Sequence, residues 1–89
     1  MRYSVTQNKF HNGGFISGHK TLSGALKSHF AHKCGECKCG GPEITPMPKD
    51  EKLSMDALDM VSYEMSQNRE TQSDAIKITC EHFKKLGWN

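Results

Sequence analysis

The residues best suited to chemistry lie in one stretch, His29-Phe30-Ala31-His32-Lys33-Cys34-Gly35-Glu36-Cys37-Lys38-Cys39-Gly40-Gly41. It holds three of the four cysteines and two of the five histidines. Cys34-x-x-Cys37 is the spacing by which a small turn presents two thiolates to one tetrahedral ion. Cys39 follows two residues on, and alternate residues of an extended segment point the same way, so Cys37 and Cys39 can face one site. A histidine of the preceding helical turn, His32 or His29, can add a nitrogen. Cys34, Cys37, Cys39 and His32 thus form a candidate zinc site. Zinc is the one metal the chain suggests, and no other cofactor is expected. Cys80 and His82 are the comparable groups elsewhere, but on a helix they point about 200° apart, too far to serve one ion.

Two further chemistries fit the same stretch. A reactive Cys-x-x-Cys needs a lowered thiol pKa, which a helix N-terminus supplies. Here the pair follows a helix C-terminus, whose negative end favours the protonated thiol, while Lys33 and Lys38 act in the opposite sense. Haem attachment is excluded, because Lys38 stands where histidine is required. The plain alternative is a helix stop, with Gly35 in the left-handed terminal position and the thiols reduced in a loop. Beyond this stretch there are no paired carboxylates in an apolar setting, no serine in a nucleophile elbow and no His-Glu-x-x-His. Gly13 to Thr21 approaches a phosphate-binding loop, but His19 intrudes between Gly18 and Lys20 and breaks the nest of amides. An enzyme is not expected.

The elements that position these groups follow from periodicity. Arg2 to Phe10 alternates as a strand around Tyr3 and Val5, His11-Asn12-Gly13-Gly14 signals a turn, and Phe15-Ile16-Ser17 returns. Leu22, Ala25, Leu26 and Phe30 make the apolar stripe of a helix capped by Thr21 or Ser23. Cys37 to Thr45 can form a short third strand, limited to an edge by its prolines. Pro46-Met47-Pro48-Lys49-Asp50 reads as a linker. Leu53, Ala57, Met60, Val61 and Met65 then mark a helix capped by Asp50 or Ser54, with Glu64 its polar exception. Thr71 starts a last helix with Ile76, Thr79, Cys80, Phe83 and Leu86 on its apolar face, ended by Gly87, with Trp88 folding back. The expected fold class is α+β: an N-terminal β-hairpin with a helix and a short third strand, followed by a C-terminal antiparallel αα-hairpin. Residues 1–89 form a single domain, divided into a basic half 1–45, a Pro-rich linker 46–50 and the helical pair 51–89.

At 89 residues and 35% hydrophobic content, the chain hides only about 60–65% of its unfolded surface, so a metal, a second copy or a binding target would add to its stability. No run approaches the roughly 18 apolar residues of a membrane span, and the N-terminus lacks an apolar signal core. The expected location is the cytoplasm, with no membrane partner and with thiols reduced. The net charge of +2 is unevenly placed. Residues 1–49 carry seven Lys and Arg against two acids, and residues 50–89 carry five against eight. An anionic partner therefore suits Lys9, Lys20, Lys27, Lys33 and Lys38, and a cationic one suits Asp56, Asp59 and Glu64 on the second helix.

Leu53 to Val61 followed by Arg69-Glu70-Thr71-Gln72-Ser73-Asp74-Ala75-Ile76-Lys77 resembles the two helices of ribbon-helix-helix DNA-binding proteins. That resemblance implies a transcriptional regulator, commonly a homodimer, with Thr71, Gln72 and Ser73 at a DNA phosphate. The short chain, polar hairpin and Thr21-Leu22-Ser23-Gly24-Ala25-Leu26-Lys27 helix start look like the small phage and prophage inhibitors of the anti-CRISPR type. That resemblance implies a non-catalytic protein in the host cytoplasm that occupies a surface of a protein or nucleoprotein complex. Inhibitor is the leading expectation, DNA-binding regulator, with zinc as a candidate stabiliser, the second, and thiol redox protein the distant third.

Overall fold

The structure, a computed structural model, describes residues 2–11, 13–33, 40–47 and 50–89. Its central element is four residues long. Strand β1 (Tyr3–Thr6) pairs antiparallel with β2 (Phe15–His19) on one side and β3 (Glu43–Pro46) on the other, giving the order β2-β1-β3. The two-residue period sends Tyr3 and Val5 to one face, where both are fully buried, and Ser4 and Thr6 to the other, where both are half-buried. Val5 lies opposite Ser17 while Thr6 lies opposite Phe15, so Ile16 is the extra residue of a bulge in β2. The hairpin forms as the turn signal predicts, but its first strand ends at Thr6. A single 3₁₀ turn, Lys9–His11, follows. It is built on Asn8, whose Oδ1 accepts from the Phe10 N–H at 2.9 Å and whose carbonyl accepts from His11 and Gly13.

The third strand is also present. Pro46, expected in the linker, instead closes β3. Met47 N–H donates to the Arg2 carbonyl at 2.8 Å, so by alternation Pro46 turns its missing donor away from β1, where a proline is tolerated. On the same outer side the Ile44 carbonyl accepts from Ser54 Oγ at 2.7 Å. These two features blunt an edge that would otherwise offer a free ladder.

Three helices complete the chain, each capped by a residue the sequence marks. Thr21 caps α1 (Leu22–Ala31), Asp50 caps α2 (Glu51–Ser66) and Thr71 caps α3 (Gln72–Lys85), each accepting a first-turn amide at 3.1–3.2 Å. Helices α2 and α3 form the C-terminal antiparallel pair. The turn between them places Arg69 at φ +57. It is held by Glu64, whose carbonyl accepts from the Glu70 N–H and whose carboxylate accepts from Asn68. After α3, Gly87 takes φ +95; Trp88 N–H reaches the Phe83 carbonyl and Gly87 N–H the Lys84 carbonyl. That pair of bonds is a Schellman turn. It sends Trp88 back against the Tyr3 ring, with centroids 6.5 Å apart, and brings the Asn89 carbonyl onto the Leu22 N–H at 2.6 Å.

One core joins the inner sheet face to all three helices. Tyr3, Val5 and Ile44 meet Leu22, Ala25 and Leu26 of α1, Leu53, Ala57 and Val61 of α2, and Ala75, Ile76 and Phe83 of α3. A large apolar side chain among them contributes about 1.5–3 kcal/mol. Met65 and Leu86, expected on the apolar stripes, lie at helix ends past the reach of the sheet and are exposed. No helix among the described residues is long and apolar enough to cross a membrane.

Thr79 is fully buried in this core, and its hydroxyl has no hydrogen-bond partner among the described residues. An unsatisfied buried hydroxyl costs about 1–3 kcal/mol. Thr79→Val keeps the shape and removes the polar atom. It is expected to stabilise the fold by about 1 kcal/mol, read as a higher urea midpoint at unchanged slope; an unchanged or lower midpoint would refute this account of Thr79.

Candidate anion-binding groove

Helices α1 and α3 pack side by side, and their outward rims enclose a groove of about 450 Å³. From α1 and its cap come Thr21, Ser23 and Lys27. From α3 come Ser73, Ile76, Lys77, Cys80, Glu81 and Lys84, with Asn89 closing one end. The helical repeat explains the set: Ser73, Lys77 and Lys84 recur at intervals of four and seven, and Ser23 and Lys27 at four, so each group shares a face. Lys27, Lys77 and Lys84 are exposed. Glu81 lines the groove with them, yet none of the three lysines forms an ion pair among the described residues. The ion pair found there, Lys52 with Asp56 at 3.0 Å, lies on the surface of α2. Unpaired ammonium groups in a groove also lined by serine hydroxyls favour phosphate, sulfate or carboxylate groups.

The Cys80 thiol forms part of the floor. Burial raises its pKa, against the opposing pull of the Ser23 hydroxyl and the Lys27 charge. It stays protonated at neutral pH and is a poor nucleophile.

The residues singled out from sequence separate into distinct places. Lys27 and Ser73, from different candidate sets, meet in this groove. Thr71 caps α3 and Gln72 is its first residue, outside the groove lining. Lys9 projects from the 3₁₀ turn and Lys20 from the end of β2, both exposed. Lys33 lies past α1, its ammonium 5.9 Å from the centre of the Phe30 ring. Asp56 and Asp59 are exposed on α2, and Asp56 is engaged by Lys52; Glu64 is half-buried at the α2–α3 turn. Cys34, Cys37, Cys39 and Lys38, with Gly35, lie outside the described residues. His32 is exposed, its Nδ1–H donating to the Ser28 carbonyl at 2.9 Å. Among the described residues no three metal-ligating side chains come together.

His29, not His32, is the histidine built into the fold. Its Nδ1–H donates to the Pro42 carbonyl at 2.6 Å, which fixes the neutral tautomer with an unprotonated Nε2. Gly41 has φ +84, and a Cβ there would come within 3.0 Å of the His29 ring and of the Lys33 side chain, so only glycine fits. Sequence reasoning missed two further features. Lys77 and Lys84 fall within the acidic half of the sequence, although their seven-residue spacing marks a shared face. Ser17 and His19, two apart on one strand face, form a polar staple to α1: Ser17 Oγ lies 2.7 Å from His19 Nε2 and 2.7 Å from Ser28 Oγ.

Burial lowers the His29 pKa, the Pro42 hydrogen bond opposes this, and the Lys33 charge adds to it. The unfolded value is about 6.5. Between that value and the lower folded one, the unfolded chain binds more protons, so stability falls as pH falls through the window. Urea midpoints measured from pH 8 downward should drop below about pH 6.5, and His29→Gln should flatten the drop while lowering the pH 8 midpoint. Parallel curves for the two proteins would show that His29 is not the group responsible. No family model, curated protein or solved structure matches this chain.

Proposed function

We propose that this chain is a non-catalytic binding protein, an inhibitor of the small phage-encoded kind, that seats its basic groove on the anionic surface of a nucleoprotein complex. The observation that carries the reading is the groove between α1 and α3, where Lys27, Lys77 and Lys84 line one cavity without an ion pair among the described residues. Three lysines against one acid, Glu81, leave the groove with a net positive charge and some self-repulsion. An anionic partner turns that repulsion into attraction. The second reading, a DNA-binding regulator, is supported by Ser73, which lines the same groove beside the lysines at the start of α3.

Immobilised heparin, a sulfated polyanion, tests the groove itself. The native protein should be retained at moderate salt. The variant Lys27→Glu/Lys77→Glu/Lys84→Glu, whose exposed positions leave the core untouched, should elute well before it; co-elution would sink the reading. A random-sequence DNA duplex separates the two functions. A regulator shifts it, and each lysine changed to alanine lowers the salt-dependence slope by about one. An inhibitor of a nucleoprotein complex leaves the duplex unshifted.

A further inference from the structure

Residues 87–89 cross from the end of α3 to the start of α1 and close one end of the groove. Gly87 turns the chain back at φ +95, and its N–H and that of Trp88 fasten the turn to the Lys84 and Phe83 carbonyls. The Asn89 carbonyl then accepts from the Leu22 N–H at 2.6 Å. Beyond these bonds the crossing rests on one half-buried ring, Trp88, tilted at 48° to Tyr3. Leu86 before it and Asn89 after it are exposed. A segment held by so little buried surface opens at less than the free energy of global unfolding.

Leu22 is the first residue of α1, where the helix dipole is positive and amides lack helical partners. Two neighbouring amides are served by the cap: Thr21 Oγ1 accepts from Gly24 and the Thr21 carbonyl from Ala25, both at 3.2 Å. Of these three amides, Leu22 alone is held by an acceptor from outside the helix and its cap. Thr21 and Ser23, on either side of it, both line the groove, with Lys27 one turn further on. A phosphate group drawn in by these side chains meets an amide that a neutral carbonyl fills. Charge-assisted hydrogen bonds are roughly twice as strong as neutral ones, so the anion is the better acceptor.

We infer that residues 87–89 are an autoinhibitory strap on the groove: the Asn89 carbonyl occupies the Leu22 amide that a bound phosphate group takes, and binding swings Trp88 off Tyr3. This rests on the anionic-partner reading above and adds a regulator to the same site. The strap sets the affinity of the groove through the fraction of molecules in which it is open.

The test titrates the full chain with sodium tripolyphosphate, followed by calorimetry and by the emission of Trp88, the one tryptophan. Binding should move the emission to longer wavelength as the ring leaves Tyr3. The variant Lys27→Glu/Lys77→Glu/Lys84→Glu should neither bind nor shift. Gly87→Ala discriminates between a strap and a fixed wall. Its Cβ meets nothing within 4 Å, so it acts only by straining the left-handed backbone of the closed turn. It should tighten binding by up to roughly 5- to 30-fold, and Gly87→Asn, which tolerates that region, by less. Loosening a fixed wall would weaken binding instead. Equal or weaker binding by Gly87→Ala overturns the strap alone, as does lysine-dependent binding that leaves the Trp88 emission unmoved. No lysine-dependent binding of either tripolyphosphate or heparin overturns the strap and the reading it rests on together.

Discussion

The structure depends on burying one face of one short strand. Tyr3 and Val5 of β1 are the side chains that meet both neighbouring strands and the packed helices. A chain of 89 residues with 35% hydrophobic content has little apolar surface to spare, so it must concentrate what it has on a single seam. The three helices converge there because the buried apolar residues of the sheet, Tyr3, Val5 and Ile44, belong to that one cluster. Polar atoms are drawn in as a result. The Tyr3 hydroxyl is buried without a hydrogen-bond partner among the described residues, and burial raises its pKa against the opposing Arg2 charge. The ring's packing against Trp88 offsets part of that penalty.

The groove follows from the same constraint. Since α1 and α3 both lie over the seam, residues on their adjoining rims must face one another. Ala25 and Leu26 turn α1 inward, which places Lys27 on the rim; Ile76 and Phe83 do the same for Lys77 and Lys84 of α3. The Schellman turn at Gly87 then carries Asn89 across to the first amide of α1, linking the two helices at one end of the groove. The charge pattern is thus a product of packing. In the linear sequence, Lys77 and Lys84 belong to a half with excess acid. In the fold the acids of α2 are left elsewhere, and the lysines join the cations of the first half.

What was legible in the sequence was whatever local physics determines. The three caps Thr21, Asp50 and Thr71, the Gly87 stop and the return of Trp88 all depend on residues within one turn of each other, and all are as the sequence indicates. The apolar stripes predicted the helices but not their full extent. Met65 and Leu86 obey the period, yet at the helix ends both are left exposed. Pro46 looked like a breaker because proline lacks a donor. Whether that matters depends on which side of the strand faces β1, a tertiary fact. Arg69 in the left-handed region carries no sequence signal at all, since the turn that requires it is set by the approach of α2 and α3. The groove was half visible: Lys27 and Ser73 were candidates, but only packing brings them together.

The polar residues explain how parts outside the apolar core are held. Asn8 ties the hairpin tip to Gly41, and His29 ties the end of α1 to Pro42, so two buried side chains fix consecutive carbonyls. The exposed Phe10 belongs to the turn that Asn8 anchors. A buried polar bond costs more to break than to leave unformed in the unfolded chain, because the orphaned partner is stranded away from water. Such bonds specify position more strongly than they add stability. This division suits a small binding protein. Its core of Tyr3, Val5 and three helical stripes sets the groove. Its directional hydrogen bonds, at Asn8, His29 and Ser54, set the orientation of surfaces that the core cannot reach.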